Sequence, residues 1–457
     1  MRRAKFLLSC LLVLNLLAPL TALAQTSGKK ATAISFKEFK LKNGLRVILS
    51  EDHTAPTYSI AVTYNVGSRD ERKGRTGFAH LFEHMMFQGS ENVGKGEHFI
   101  LVLNNGGNMN GTTNADRTNY FQSLPINQLD LGLFLEADRM KSLAITPANL
   151  DNQRKTVQEE RRQGVDNQPY GKTFEVLFDT VYDNFPYKHS TIGSMEDLNA
   201  ASVEDVSEFF KMYYAPNNAV LTLVGDFKTE EALAKIKKHF EAIPAQSAPP
   251  VPDVKEPEQN GERRKTVDDA FARSPRLDIV YKIPQSNTPD WYALFVLGQV
   301  LSSGQSSRLY QKLVKEKEVA VAAFASAQER RGPSLASVVV IAVPNKDTAE
   351  IEKMVYEELE RLKKEPVADW ELEKVRMQLR RQRAQQLQGT LFRSILLGQY
   401  AVYYDDPNLI NTIEDKYASV TKEDIMRVAN TYLKETNRTV ITTIPKPKAA
   451  PAPKPAD

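Results

Sequence analysis

His80-Leu81-Phe82-Glu83-His84, entered from Gly77-Phe78-Ala79 and left through Met85-Met86-Phe87, is the stretch that decides how this chain is read. Histidines four residues apart share one face of a helix, near enough for both imidazoles to reach a single Zn²⁺. Glu83 stands between them in sequence and beside them in space, where a carboxylate can take a proton from a metal-activated water. The order H-x-x-E-H reverses the commoner H-E-x-x-H arrangement. The plain alternative is a pair of histidines on an ordinary amphipathic helix, in a chain that holds only six.

A chain of 457 residues is long enough for two or three domains. Its net charge of +3 is small for that length and gives no pull toward nucleic acid or acidic membranes. The N-terminus reads as a secretory signal, residues 1–24. Met1 to Lys5 is basic, Phe6 to Leu20 is apolar, and Ala22-Leu23-Ala24 precedes Gln25 as a small-residue cleavage site. The apolar run, broken by Asn15 and Pro19, falls short of a bilayer span, and nothing later could replace it. The only cysteine, Cys10, lies within that signal. The expected mature protein is periplasmic or secreted and has no thiol, so its metal ligands must be His, Asp or Glu.

Two stretches punctuate the rest: a Pro-, Glu- and Lys-rich segment at 244–265, expected to be an exposed linker, and a Pro/Ala/Lys tail at 446–457, expected to be disordered. Between them lie two segments, 35–243 and 266–445, that read as copies of one unit. Ala201-Ser202-Val203-Glu204-Asp205 matches Ala418-Ser419-Val420 and Thr421-Lys422-Glu423-Asp424, each followed by an amphipathic helix and a closing strand. Placing Asp205 on Asp424 gives an offset of 219 residues, which carries the strand at Tyr58 onto the strand pattern at Leu277. The same offset carries His80, Glu83 and His84 onto Gln299, Ser302 and Ser303, and no histidine follows His239. One half is chemical and the other is scaffold or substrate-facing wall. Strands are expected near 45–49, 59–65 and 219–224, with helices near 78–87, 128–142 and 149–164. Long helices in succession favour an α+β fold of two homologous domains, each a sheet packed with helices.

A catalytic zinc needs a third protein ligand and an open position. The helix pattern over 149–164 offers Glu159 and Glu160, although a glutamate next to arginines is ordinarily a solvated one. The H-x-x-E-H helix followed by Val157-Gln158-Glu159-Glu160 resembles the inverted-zincin peptidases, the group of pitrilysin, insulin-degrading enzyme and the mitochondrial processing peptidase. The likeness extends to Leu41-Lys42-Asn43-Gly44-Leu45-Arg46-Val47, to Phe87-Gln88-Gly89-Ser90, and to Tyr214-Ala215-Pro216-Asn217-Asn218 with Val224-Gly225-Asp226. It implies one zinc per chain held by His80, His84 and Glu160, which lies 76 residues after His84, with Glu83 as general base. It also implies an edge strand at 104–113 that receives an extended peptide, with Asn110 against the scissile bond, and a dimer enclosing a chamber.

Two positions depart from the family pattern. A supporting glutamate seven residues before the third ligand is here Gln153, with Glu159 the other outer residue of the shell. The Arg and Tyr that active members aim at substrate from the second half fall on Lys315 and on Val321, or on Ala322 if the register slips by one. Drift is one explanation. The other is a homologous partner subunit that supplies the Arg and Tyr, making this the zinc-bearing member of a heterodimer. The resemblance therefore implies a zinc endopeptidase acting on extended or unfolded peptides, the alternative being a non-catalytic chamber subunit.

Overall fold

The strand Thr57–Tyr64 is buried along nearly its whole length, because both faces of its sheet are covered, and its apolar residues accordingly run on instead of alternating. The computed structural model describes residues 33–446; the signal at 1–24 and the tail beyond Lys446 lie outside them. Six strands form this first sheet: β1 (Lys37–Lys40), β2 (Arg46–Glu51), β3 (Thr57–Tyr64), β4 (Asn108–Thr113), β5 (Thr118–Pro125) and β6 (Ala219–Gly225), in the spatial order β1-β2-β6-β3-β5-β4. The second sheet holds β7 (Arg263–Asp269), β8 (Arg276–Ile283), β9 (Ala320–Ala327), β10 (Ser334–Ala342) and β11 (Arg438–Pro445), in the order β7-β11-β8-β10-β9.

The second order repeats the first without β1. Each sheet has one parallel pair, β2 with β6 and β7 with β11, and the other pairs are antiparallel. The offset of 219 carries the start of β3 onto that of β8 and the start of β6 onto that of β11. Helices succeed one another between the strands, as in helices Leu129–Lys141 and Pro147–Arg161, and the fold is α+β in two homologous halves.

The halves exchange helices. Helix Thr390–Tyr404, from the second half, lies on β3 and β6 of the first sheet. Its approach uses small residues: Thr222 Oγ1 donates to Ser394 O at 2.8 Å, and a Cβ on Gly398 would sit 2.7 Å from Thr63 Oγ1. Conversely, helix Gly171–Val181 covers the second sheet, with Leu177, Val181 and Tyr182 packed on Val280, Leu335 and Ile441. Each half thus buries apolar surface of the other, at roughly 25 cal/mol per Å².

Residues 244–262 form no helix or strand, and regular structure resumes at Arg263, just before the expected end of the linker. That segment is less free than its composition implies. Glu256 accepts from Asp183 N at 2.9 Å and Asn184 N at 2.8 Å, and pairs with Lys282 Nζ at 2.7 Å. A buried carboxylate with a cation and two N–H donors is satisfied, so the segment is pinned rather than loose.

Candidate metal centre

Helix Phe78–Met85 buries Phe78, Ala79, Leu81, Phe82 and Met85. Phe82 packs on Tyr214 with ring centroids 4.2 Å apart, and on Phe209 and Phe210. The remaining stripe carries His80, Glu83 and His84. Gly77, which starts the helix at φ +85°, lies so near the 192–193 backbone that a Cβ would be 2.6 Å from Ile192 O.

Helix Pro147–Arg161 packs against this helix and brings the third group. Glu160 Oε2 lies 3.4 Å from His84 Nε2 and 3.7 Å from His80 Nε2. The three ligand atoms all lie within 4.8 Å of one another. Tetrahedral zinc with bonds of about 2.0–2.1 Å needs ligand atoms roughly 3.3 Å apart, so the observed spacing suits an ion between them. Burial and the neighbouring His84 push the His80 imidazole down to about 4, keeping it neutral as a ligand must be. The donor set and its geometry fit zinc.

Gln153 lies two turns before Glu160 on the same helix face. Its Oε1 is 3.3 Å from His84 Nδ1, where it accepts the Nδ1–H and leaves Nε2 free to face Glu160. Glu159 turns the other way. It bonds Arg162 at 3.0 Å and Gln163 at 2.9 Å on the exposed face, at the i+3 and i+4 positions of its own helix, and not to the ligand residues.

Glu83 points at the first sheet's edge. Thr113 Oγ1 donates to Glu83 Oε2 at 2.6 Å, and a Cβ on Gly111 would come within 3.1 Å of Glu83 Cγ and Oε1. Burial raises the Glu83 carboxyl, more than the Thr113 bond and the charges of His84 and Arg117 lower it. Arg117 is held on Thr112 O at 2.8 Å and Asn119 Oδ1 at 3.1 Å. Gly111 and Thr113 fall within the expected edge strand at 104–113, but the sequence assigned no individual role to them or to Arg117.

β4 pairs only with β5 among the described strands, so its other edge is open beside Glu83. Asn110 is exposed on β4, its Oδ1 accepting from Gly111 N at 2.9 Å. Lys315 lies in the turn of π-helix Tyr310–Glu316; Val321 is exposed on β9, the edge of the second sheet, and Ala322 is half-buried there.

Residues 46–195 match the insulinase family model (peptidase family M16), and residues 200–379 match the M16 inactive domain. The chain belongs to peptidase family M16. It is 32% identical over 404 residues to the zinc protease PqqE of Helicobacter pylori, covering 88% of this chain and 91% of that one. Among solved structures, a protease from Helicobacter pylori matches with a TM-score of 0.86 and 31% identity, over 90% of this chain and all of that one. A peptidase M16 inactive domain from Pseudomonas fluorescens shares the fold at a TM-score of 0.81 and 16% identity, over 92% of this chain and all of that one. The chain is a zinc protease of family M16, with His80, His84 and Glu160 as its candidate metal site. The match of its later part to an inactive domain agrees with the absence of histidine after His239.

Proposed function

We propose that this M16 protein is an exported zinc endopeptidase that hydrolyses extended or unfolded peptides, with Glu83 as general base. The observation that carries the reading is the placement of the Glu83 carboxylate on the helix of His80 and His84, which with Glu160 from a second helix form a set at zinc spacing, beside an open strand edge.

Zinc held by His80, His84 and Glu160 would supply Lewis acidity, making water a better nucleophile near neutral pH and polarising the peptide carbonyl. Glu83 takes the proton from water through the oxygen not engaged by Thr113, and later gives it to the leaving amine. The edge of β4 receives substrate main chain by strand addition, which favours extended peptides of varied sequence. Asn110, exposed on that strand, is the residue the family resemblance assigns to the bound peptide. Gln153 holds the His84 ring.

Export rests on the N-terminal signal pattern, and no described helix is long and apolar enough to cross a membrane. We further infer a division at 35–243 and 266–445 joined by 244–265, and a dimer in which a homologous subunit supplies the Arg and Tyr whose places fall here on Lys315 and on Val321 or Ala322.

The test strips the purified mature chain of metal, titrates back Zn²⁺ and follows cleavage of a quenched-fluorescent peptide. Cleavage returning at one zinc per chain supports the reading. A mixture with a homologue carrying the Arg and Tyr should raise the rate by about 10²–10³ if those donors are missing. No cleavage at any zinc level, alone or mixed, would favour the non-catalytic subunit.

A further inference from the structure

The segment 185–194 touches both helices that carry the ligand set. Arg161, next to Glu160, donates through Nη1 to Gly193 O at 2.5 Å, and through Nη1 and Nη2 to Glu175 at 2.5 and 3.0 Å. On the other side, His189 reaches the start of the zinc helix through Glu71. Gly77 caps that helix without any side chain of its own to accept its first N–H groups. Glu71 accepts them instead, Oε2 from Gly77 N at 2.9 Å and Oε1 from Ala79 N at 2.8 Å. A carboxylate at this end is also favoured by the helix dipole.

The Glu71 side chain is fully buried, and that of His189 is 12% exposed. His189 Nε2 lies 2.9 Å from Glu71 Oε2 and 3.0 Å from Ser68 O, while Nδ1 lies 3.1 Å from Phe185 O. Ser68 O and Phe185 O can only accept, so each ring nitrogen carries a proton and the ring faces Glu71 as an imidazolium. The ring also stacks on Phe185 at 4.6 Å. A buried carboxylate left without this donor would lose a charge-assisted bond and its counter-ion.

We propose that Glu71 and His189 are positioning residues for the metal centre: His189 fixes the Glu71 carboxylate, Glu71 fixes the first turn of the helix bearing His80, Glu83 and His84, and the same segment fixes the Glu160 helix through Arg161. One loop thereby registers two helices whose ligand atoms must meet to within a few tenths of an ångström. The inference rests on the zinc reading of His80, His84 and Glu160. It adds two residues that touch neither metal nor substrate.

His189→Asn and His189→Gln separate the bond to Glu71 from the rest. The Asn amide nitrogen can replace Nδ1 toward Phe185 O but does not reach Glu71, whereas the Gln amide nitrogen replaces Nε2 and does. Zinc affinity is read by competition with a chromogenic chelator, kcat and KM on a peptide, and folding by thermal melting. His189→Asn should lower zinc affinity and kcat about tenfold or more with KM within twofold, and His189→Gln should recover most of both. Glu71→Gln should behave as His189→Asn does. Parental zinc affinity and kcat in folded His189→Asn would overturn the proposal, as would equal damage in His189→Gln, which would assign the effect to ring stacking. If His189→Asn does not fold, a folded and fully active Glu71→Gln overturns it equally. A parent that binds no zinc would instead overturn the zinc reading itself.

Discussion

Thr113 Oγ1 donates a 2.6 Å hydrogen bond to Glu83 Oε2, joining the edge strand to the proposed base on the helix of His80 and His84. The bond leaves one carboxylate oxygen free and fixes its direction. Thr113→Val keeps the shape and removes the donor. Hydrogen bonds to charged groups are worth about 1.5–3 kcal/mol, so kcat should fall at least tenfold while KM and zinc content hold. Steady-state kinetics with metal analysis checks this, and an unchanged kcat would remove Thr113 from the account.

Gln153 holds His84 Nδ1 through its carbonyl. Gln153→Leu should lower zinc affinity by about 10–100-fold, and Gln153→Glu, a charged acceptor in the same place, should match or exceed the parent. Chelator competition measures both. Equal affinity in all three proteins would mean that the ring needs no such partner.

Glu159 and Glu160 are adjacent, yet only Glu160 faces the histidines. Glu160→Gln should empty the site and abolish cleavage, while Glu159→Gln keeps zinc and activity, losing only bonds to Arg162 and Gln163. Such exposed pairs are worth about 0–1 kcal/mol. Reversed outcomes, read by metal content per chain, would exchange their roles.

Burial pushes the Asp70 carboxyl up to about 6, and the Arg69 and Arg331 charges offset only part of it. The unfolded chain titrates such a group near ~4. The folded state holds this proton more tightly, so the stability it lends is complete below pH ~4 and lost as pH rises through about 6. The unfolding free energy of the parent relative to Asp70→Asn should therefore drop by on the order of 1–3 kcal/mol between pH 4 and 7. Urea unfolding across that range tests it, and a flat difference would mean that Asp70 titrates as an ordinary carboxyl.

The sequence made the metal helix legible because i, i+4 spacing alone places His80 and His84 on one face. It left Glu159 and Glu160 open, since both follow the same helical pattern, and only the resemblance selected Glu160. The phase of the folded helix supports that selection, with buried Gln153 two turns earlier and Glu159 aimed at Arg162 and Gln163. The resemblance marked the strand that ends at Thr113 but not the threonine's bond to Glu83, and Glu71 carried no signal, because a threonine in a strand and a glutamate in a loop have no periodicity that points to a partner. Their partners are set by tertiary approach, Thr113 to a residue 30 positions away and Glu71 to one 118 away. The offset of 219 exposed the repeated strand order, but pairing like with like within each half conceals the exchange of helices Gly171–Val181 and Thr390–Tyr404 across the halves. Composition registers the acidic and proline content of 244–265 but not the bond from Glu256 to Lys282 that ties the segment down.

The most direct measurement of the central claim is zinc content and peptide cleavage of Glu83→Gln beside the parent. Glu83 is read as a base that takes and returns a proton without holding the metal. The variant should keep one zinc per chain at parental affinity and lose cleavage by orders of magnitude, with its melting temperature little changed. Loss of zinc from Glu83→Gln, or cleavage at the parental rate, would contradict the account.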